Sequence, residues 1–193
     1  MIRILALALL ACPAAVMAQD LRAPESFDDI ADPTRRSQAL FQELGRVIES
    51  PRCMNCHPRG DSPTQKDGQP HVPPVVRGAD GRGAPGMECT TCHGVEPARF
   101  ATGDGSVPGH DDWHLAPLSM GWQGLTLSEI CVQLKDSERN GDWTLAEIAE
   151  HHADDGLVGS AWAPGPGREP APGTQEVFGA LTRAWIETGA ACP

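Results

Sequence analysis

Apolar residues recur every three or four positions in four segments of the chain, the spacing typical of one buried face of an α-helix. The first helix is predicted at about 36–49, the second and third begin at the capping-box sequences of Thr126 and Thr144, and the fourth follows Thr174. The predicted inward positions are Leu40, Leu44, Val47, Ile48, Leu127, Ile130, Cys131, Leu134, Leu145, Ile148, Ala149, His152, Val177, Phe178, Leu181 and Trp185. No segment alternates as a strand would, so the predicted fold class is mainly α, with short helices and long irregular connections.

The composition indicates that side chains alone supply a modest core. The 193 residues include 21 Gly and 18 Pro but only 5 Trp, 4 Phe and no Tyr. This balance favours long Gly/Pro-rich loops, while a hydrophobic content of 40% argues against a disordered chain. We therefore expect something other than side chains to supplement the core.

Residues 1–18 are predicted to be a secretory signal peptide. A positive start is followed by an apolar run that is too short to span a bilayer, and small residues favour cleavage after Ala18. A lipoprotein-like sequence ending at Cys12 is the alternative. The mature chain, 19–193, is predicted to be a single exported domain without a membrane span.

The chain has a net charge of −11, which limits the kinds of partner that it can bind. Such an acidic chain is unsuited to binding nucleic-acid phosphates or anionic lipid. A basic protein partner or a neutral ligand remains open.

Two copies of C-x-x-C-H indicate the chemistry, at Cys53–His57 and at Cys89–His93. This is the attachment signature of c-type haem, in which two thiols three positions apart bond to one haem and the next imidazole ligates its iron. The sequence predicts two covalently attached haem c groups, held by Cys53, Cys56, Cys89 and Cys92.

The proximal iron ligands are then His57 and His93. A four-cysteine zinc site, disulfides and a dithiol redox site are the alternatives, but none of these requires a histidine after each cysteine pair.

Three further stretches carry a family resemblance, at 71–78, 113–117 and 120–124. With the two haem segments they resemble bacterial periplasmic di-haem c-type cytochromes, a family of small proteins sometimes labelled as isoquinoline 1-oxidoreductase subunits. The resemblance implies a cytochrome c-like fold around two haems, a periplasmic location, and redox protein partners that include a molybdenum-containing dehydrogenase.

Only 31 residues separate His57 from Cys89, too few for a complete single-haem module. The two haems are therefore predicted to share one fold and to lie close together. The candidate distal ligands are His71, between prolines in this interval, and His114 and Met120, which flank a short segment. A methionine ligand would raise the reduction potential relative to histidine.

Cys131 and Cys192 lie outside both haem segments. In an oxidising compartment they are predicted to form a disulfide that ties the C-terminus to the second helix.

The predicted function is that of a periplasmic electron carrier between a dehydrogenase and a downstream acceptor, since the chain has two haem segments and no dedicated substrate residues. The pattern favours an electron-transfer protein over a stand-alone enzyme. The alternatives are a peroxidase-like di-haem enzyme with one open iron, and a haem subunit of a larger oxidoreductase.

Overall fold

The computed structural model describes residues 20–193, so the predicted signal peptide and Cys12 lie outside the described residues. Helices include 40% of this part of the chain and strands 7%, which confirms the mainly α class. The α-helices are α1 Pro33–Ile48, α2 Pro51–Met54, α3 Leu127–Leu134, α4 Ser137–Asn140, α5 Leu145–Asp154, α6 Gly156–Gly159 and α7 Gln175–Glu187. The strands are β1 Thr64–Gln65, β2 Gln69–Pro70, β3 Gly83–Ala84, β4 Met87–Glu88, β5 Ala98–Arg99 and β6 Ser106–Val107. Short 3₁₀ helices lie at Pro24–Phe27, Cys89–Thr91 and Leu118–Met120.

Helix α7 is the centre of the helical half, because it packs against both α1 and α5. Its contact with α5 is close: a Cβ added at Gly179 would lie 2.5 Å from the Cβ of Ala153. On the other side, the rings of Phe41 and Trp185 have centroids 4.9 Å apart. A small residue on one side and large aromatic rings on the other thus fix the spacing of these three helices.

The predicted helix starts are confirmed for the last three long helices. Thr126 and Thr144 both form complete capping boxes, with Glu129 and Glu147 respectively, and the Thr174 hydroxyl accepts from the Val177 N–H. The first helix begins earlier than predicted, at Pro33. The Asp32 carboxylate accepts from the Arg35 N–H, and proline is favourable at the first helical position, where no N–H is needed.

The predicted disulfide between Cys131 and Cys192 is confirmed, with Cα atoms 5.6 Å apart. The same end of the chain is held by Ser37, whose hydroxyl donates to the Trp185 carbonyl at 3.0 Å and accepts from the Ala191 N–H at 2.9 Å. The C-terminal residues are therefore fixed to both α1 and α3.

Residues 55–125 form the other half of the described chain, and its elements are three antiparallel two-stranded ladders and two 3₁₀ turns. The pairs are Thr64 with Pro70, Gly83 with Glu88, and Ala98 with Val107. Such short ladders show no sequence alternation, which is why the sequence predicts loops there. Close backbone contact fixes this region: Gly78 has φ +70°, and a Cβ there would overlap the Gly83 carbonyl oxygen.

No helix in residues 20–193 has the length and apolarity needed to cross a membrane.

Glu43, on α1 in the helical half, is a buried carboxylate with an exposed fraction of 5%. It accepts from the Arg22 N–H at 3.0 Å, from Arg22 Nε at 2.9 Å and from Arg46 Nη1 at 2.6 Å. Burial alone would raise the pKa of Glu43, but these hydrogen bonds outweigh it and hold the pKa below the ordinary value of 4.5. The carboxylate therefore stabilises the fold while it is ionised.

We expect Glu43→Gln to lower the free energy of unfolding at pH 7 by about 1–3 kcal/mol, because two guanidinium groups lose their charged partner. A lowered pKa means that the stabilisation is complete above the ordinary glutamate pKa and is lost as pH falls through the folded value. The difference between wild type and variant should therefore shrink below about pH 4. Urea unfolding across pH measures it, with exposed Glu49→Gln as the control. A difference that does not change with pH would contradict the assignment.

Candidate functional site

The first C-x-x-C-H segment lies on α2 and the turn that follows it. Pro51 opens α2, and the His57 N–H donates to the Cys53 carbonyl at 3.0 Å. The imidazole of His57 is held by the main chain: its Nδ1 lies 2.8 Å from the Met120 carbonyl oxygen. Since a carbonyl can only accept, Nδ1 carries the proton, and Nε2 keeps the lone pair that a metal would require.

The second segment lies on the 3₁₀ turn Cys89–Thr91, directly after the β3–β4 hairpin. The Cys89 N–H donates to the Arg82 carbonyl at 2.8 Å, which ties the segment to the hairpin base. The Nδ1 of His93 lies 2.7 Å from the Pro108 carbonyl oxygen. His93 therefore has the same protonation pattern as His57.

A tryptophan stacks on each of these two histidines. Trp122 lies parallel to His57, with centroids 3.4 Å apart and an interplanar angle of 8°. Trp113 lies parallel to His93, with centroids 4.3 Å apart and an angle of 1°. Each imidazole is thus fixed twice, by a carbonyl along its plane and by an indole against its face. Metal-ligating histidines are commonly fixed in this way through the nitrogen that does not bind the metal.

Both histidines line one cavity of about 930 Å³, between the helical half and residues 55–125. This volume lies at the upper end of the range for small-molecule sites. Cys53 and Cys56 line the cavity with His57, whereas Cys89 and Cys92 lie outside its lining. Cys53, Cys56 and Cys89 are half-buried and Cys92 is exposed. All four cysteines are free thiols, which a covalent attachment would require.

Burial favours the neutral forms of the histidines of both segments and of the cysteines of the first. Burial lowers the pKa of His57 to about 4 and raises the pKa of Cys53 to about 12 and that of Cys56 to about 11. Burial also lowers the pKa of His93. At neutral pH both imidazoles are therefore neutral, the form that ligates a metal, while the thiols are protonated rather than the thiolates that zinc prefers.

The structure does not gather the four cysteines into a zinc-like cluster. Within residues 20–193, no group of three or more histidine, cysteine or acidic side chains is arranged to hold a metal ion. A haem, which brings its own four nitrogen ligands, needs only axial ligands from the protein.

Positive groups and unpartnered donors line the cavity. Arg52 and Arg168 both line it, and burial, followed by the charge of Arg52, lowers the pKa of Arg168. Arg77 Nε and Trp122 Nε1 are buried without a hydrogen-bond partner among the described residues. Since buried donors are almost always satisfied, these features fit a bound group that carries negative oxygens.

Arg77 joins the two parts of the site. Its guanidinium donates to the Ala116 carbonyl, and makes longer contacts of 3.5 Å with Pro58 O and 3.4 Å with Gly60 O. Pro58 follows His57, and Ala116 belongs to the segment after Trp113. One buried side chain thus connects the first C-x-x-C-H segment to the loop whose tryptophan stacks on the histidine of the second.

The three predicted distal ligands all line the cavity, so the structure brings them together with both C-x-x-C-H histidines. The Nδ1 of His71 lies 2.8 Å from the Pro73 carbonyl, and that of His114 lies 2.7 Å from the Asp112 carbonyl. Met120 is buried, and its carbonyl is the group that holds His57. Their roles as iron ligands stay predictions.

His152 is buried on α5 as the helical pattern predicts. The Thr182 hydroxyl donates to the Phe178 carbonyl at 2.9 Å, so it accepts from His152 Nδ1, also at 2.9 Å. Burial lowers the pKa of His152 to about 3. The residue lines the cavity as a neutral imidazole.

Sequence reasoning missed the supporting residues of the site, above all Trp113, Trp122 and Arg77. They fall within the three stretches that carry the family resemblance, but nothing in their spacing assigns them a role. The carbonyls of Pro108 and Met120 have no side-chain signature at all. Only the folded backbone reveals which carbonyl faces which imidazole.

Comparisons of the chain with protein-family models, with curated proteins and with solved structures give no match.

We expect Arg77→Lys to lower the free energy of unfolding by about 1–3 kcal/mol, because a single ammonium group cannot reach carbonyls on two separate segments. Denaturant unfolding measures the change. Arg99→Lys is the matched control, since Arg99 is exposed on β5, and it should change stability by less than about 0.5 kcal/mol. Equal effects of the two substitutions would show that the guanidinium does not connect the two parts of the site.

Proposed function

We propose that this protein is a di-haem c-type cytochrome of the periplasm that carries single electrons from a dehydrogenase to a downstream acceptor. The observation that carries the proposal is the repeated arrangement at His57 and His93. Each follows a C-x-x-C pair, donates Nδ1–H to a main-chain carbonyl, stacks on a tryptophan and lines the same cavity. Two such histidines at one cavity are what a protein with two neighbouring haems needs.

The residues present fit the cofactor. Cys53 and Cys56 would bind one haem and Cys89 and Cys92 the other, with His57 and His93 as proximal ligands. The buried donors of Arg77 and Trp122, and the guanidinium groups of Arg52 and Arg168 in the cavity lining, suit the carboxylates of a haem. A bound haem supplies reversible one-electron exchange between ferric and ferrous iron.

The protein's own contribution would be to fix the cofactor rather than to react. Rigid proximal ligands and a cavity closed by helices limit how much the surroundings rearrange when an electron arrives. Two haems within one cavity would also lie close to each other, which suits stepwise transfer between them. The fold would then be cytochrome c-like, with the long connections of residues 55–125 packed around both groups.

The net charge of −11 supports a redox protein partner with a basic docking surface rather than nucleic acid. That partner would be the electron-donating dehydrogenase, and the resemblance to small di-haem cytochromes points to a molybdenum enzyme. If the chain works as a haem subunit of such an enzyme, the two should co-purify.

A peroxidase-like enzyme is the second candidate function. The observation that favours it is the position of His152 in the cavity lining. Its Nδ1 is held by Thr182, so a neutral imidazole nitrogen remains at the cavity for proton transfer. This function requires one iron that is open to substrate. Carbon monoxide binding at one haem of the reduced wild-type protein would favour the enzyme, and no binding would favour the carrier.

We expect the wild-type protein to accept two electrons per chain in a reductive titration followed by visible absorption. Replacing one attachment pair, by Cys53→Ala with Cys56→Ala or by Cys89→Ala with Cys92→Ala, should reduce the uptake to one electron. The matched control is Cys131→Ala with Cys192→Ala, which removes two cysteines outside the haem segments and should leave an uptake of two. No uptake by the wild type would overturn the proposed function.

A further inference from the structure

The rings of His71 and His93 lie near each other, and both residues line the cavity. Their centroids are 6.1 Å apart and their planes are inclined by 51°. Two imidazoles on opposite sides of one metal, with metal–nitrogen bonds of about 2 Å, have ring centres roughly 6 Å apart. We propose that His71 is the second axial ligand of the haem at Cys89 and Cys92, opposite His93; this rests on the proposed function.

The hydrogen bonds of both rings engage Nδ1 and leave Nε2 free to bind an iron. His71 Nδ1 lies 2.8 Å from the Pro73 carbonyl and His93 Nδ1 lies 2.7 Å from the Pro108 carbonyl. Each Nδ1 must therefore be the protonated nitrogen, because neither carbonyl can donate. The lone pair of each imidazole is then on Nε2, and both residues line the same cavity.

The segment that carries His71 is fixed on its N-terminal side. His71 directly follows β2, which pairs with β1. The hairpin is tied to the first haem segment by Asn55, whose side chain donates to the Lys66 carbonyl at 2.8 Å and accepts from the Thr64 hydroxyl at 2.6 Å. The middle of one C-x-x-C-H segment thus positions the histidine that faces the other.

Arg77 fixes the C-terminal side of the same segment, since it is buried and bonded to carbonyls on two other parts of the chain. A ligand held between two such anchors loses little further freedom when it binds a metal. This is the preorganisation that axial coordination requires.

The separation of His71 and His93 is not imposed by the local chain. His151 and His152 also have centroids 6.1 Å apart, but they are consecutive residues of α5, where neighbouring side chains diverge by about 100°. His71 and His93 come from separate loops on either side of the β3–β4 hairpin. Tertiary structure brings these two rings together.

Ligation by two histidines has consequences for function. It would close this iron to added ligands and give it a lower potential than a histidine–methionine pair. The haem of His93 would then serve electron transfer only. Any substrate chemistry would be confined to the haem of His57, for which His114 remains as a candidate ligand. The Met120 carbonyl holds His57 Nδ1 at 2.8 Å, so the Met120 side chain is on the wrong side of that haem to ligate the same iron.

The test is His71→Gly in the full haem-loaded protein, studied by absorption and electron paramagnetic resonance. We expect one of the two haems to become high-spin and, after reduction, to bind one carbon monoxide per chain. Added imidazole should restore the low-spin spectrum. His110→Gly, which replaces a histidine outside the cavity lining, should leave both haems unchanged.

The assignment to one haem is tested in the attachment-pair variants. Adding His71→Gly should change the spectrum of the chain without Cys53 and Cys56, and should have no effect on the chain without Cys89 and Cys92. If His71→Gly disturbs folding, His71→Met serves instead and should raise the potential of one haem only. Two haems that stay low-spin in His71→Gly would overturn the ligand assignment alone, whereas a wild-type protein without haem would overturn the proposed function itself.

Discussion

The hydrogen bond from an imidazole Nδ1 to a main-chain carbonyl is the interaction on which the site depends. It occurs at His57 with Met120 and at His93 with Pro108, and it sets the tautomer of each ring. The position of each carbonyl is set by the loop that carries it, so these loops must also be held in place. Hence residues 55–125 are held by short hairpins, tight glycine turns and a buried arginine rather than by long helices.

The two halves of the chain therefore have different structural roles. The helical half has its own core, in which α7 packs between α1 and α5 and the Cys131–Cys192 disulfide ties down the C-terminus. The cavity of about 930 Å³ lies between this half and residues 55–125, and both line it. The scarcity of aromatic residues and the abundance of Gly and Pro have a physical reason in this account, since two haems would supply the apolar surface that side chains do not.

The sequence predicted the parts of the structure that depend on local patterns. Capping boxes located α3 and α5, helical periodicity placed His152 inward, and leftover cysteines identified the disulfide. The two C-x-x-C-H segments identified His57 and His93. The stacking of Trp113 and Trp122, the short hairpins and the approach of His71 to His93 depend on contacts between distant segments, and no spacing in the sequence records them.

Covalent attachment of two haems is tested by the intact mass of the exported protein, made in a host with c-type haem attachment machinery and measured after denaturation. We expect the mass of the chain from Gln19 onward plus two haem groups that remain bound under denaturing conditions. Denaturation would release zinc, and additional disulfides would only remove hydrogens. A denatured mass that corresponds to the bare chain would contradict the central claim.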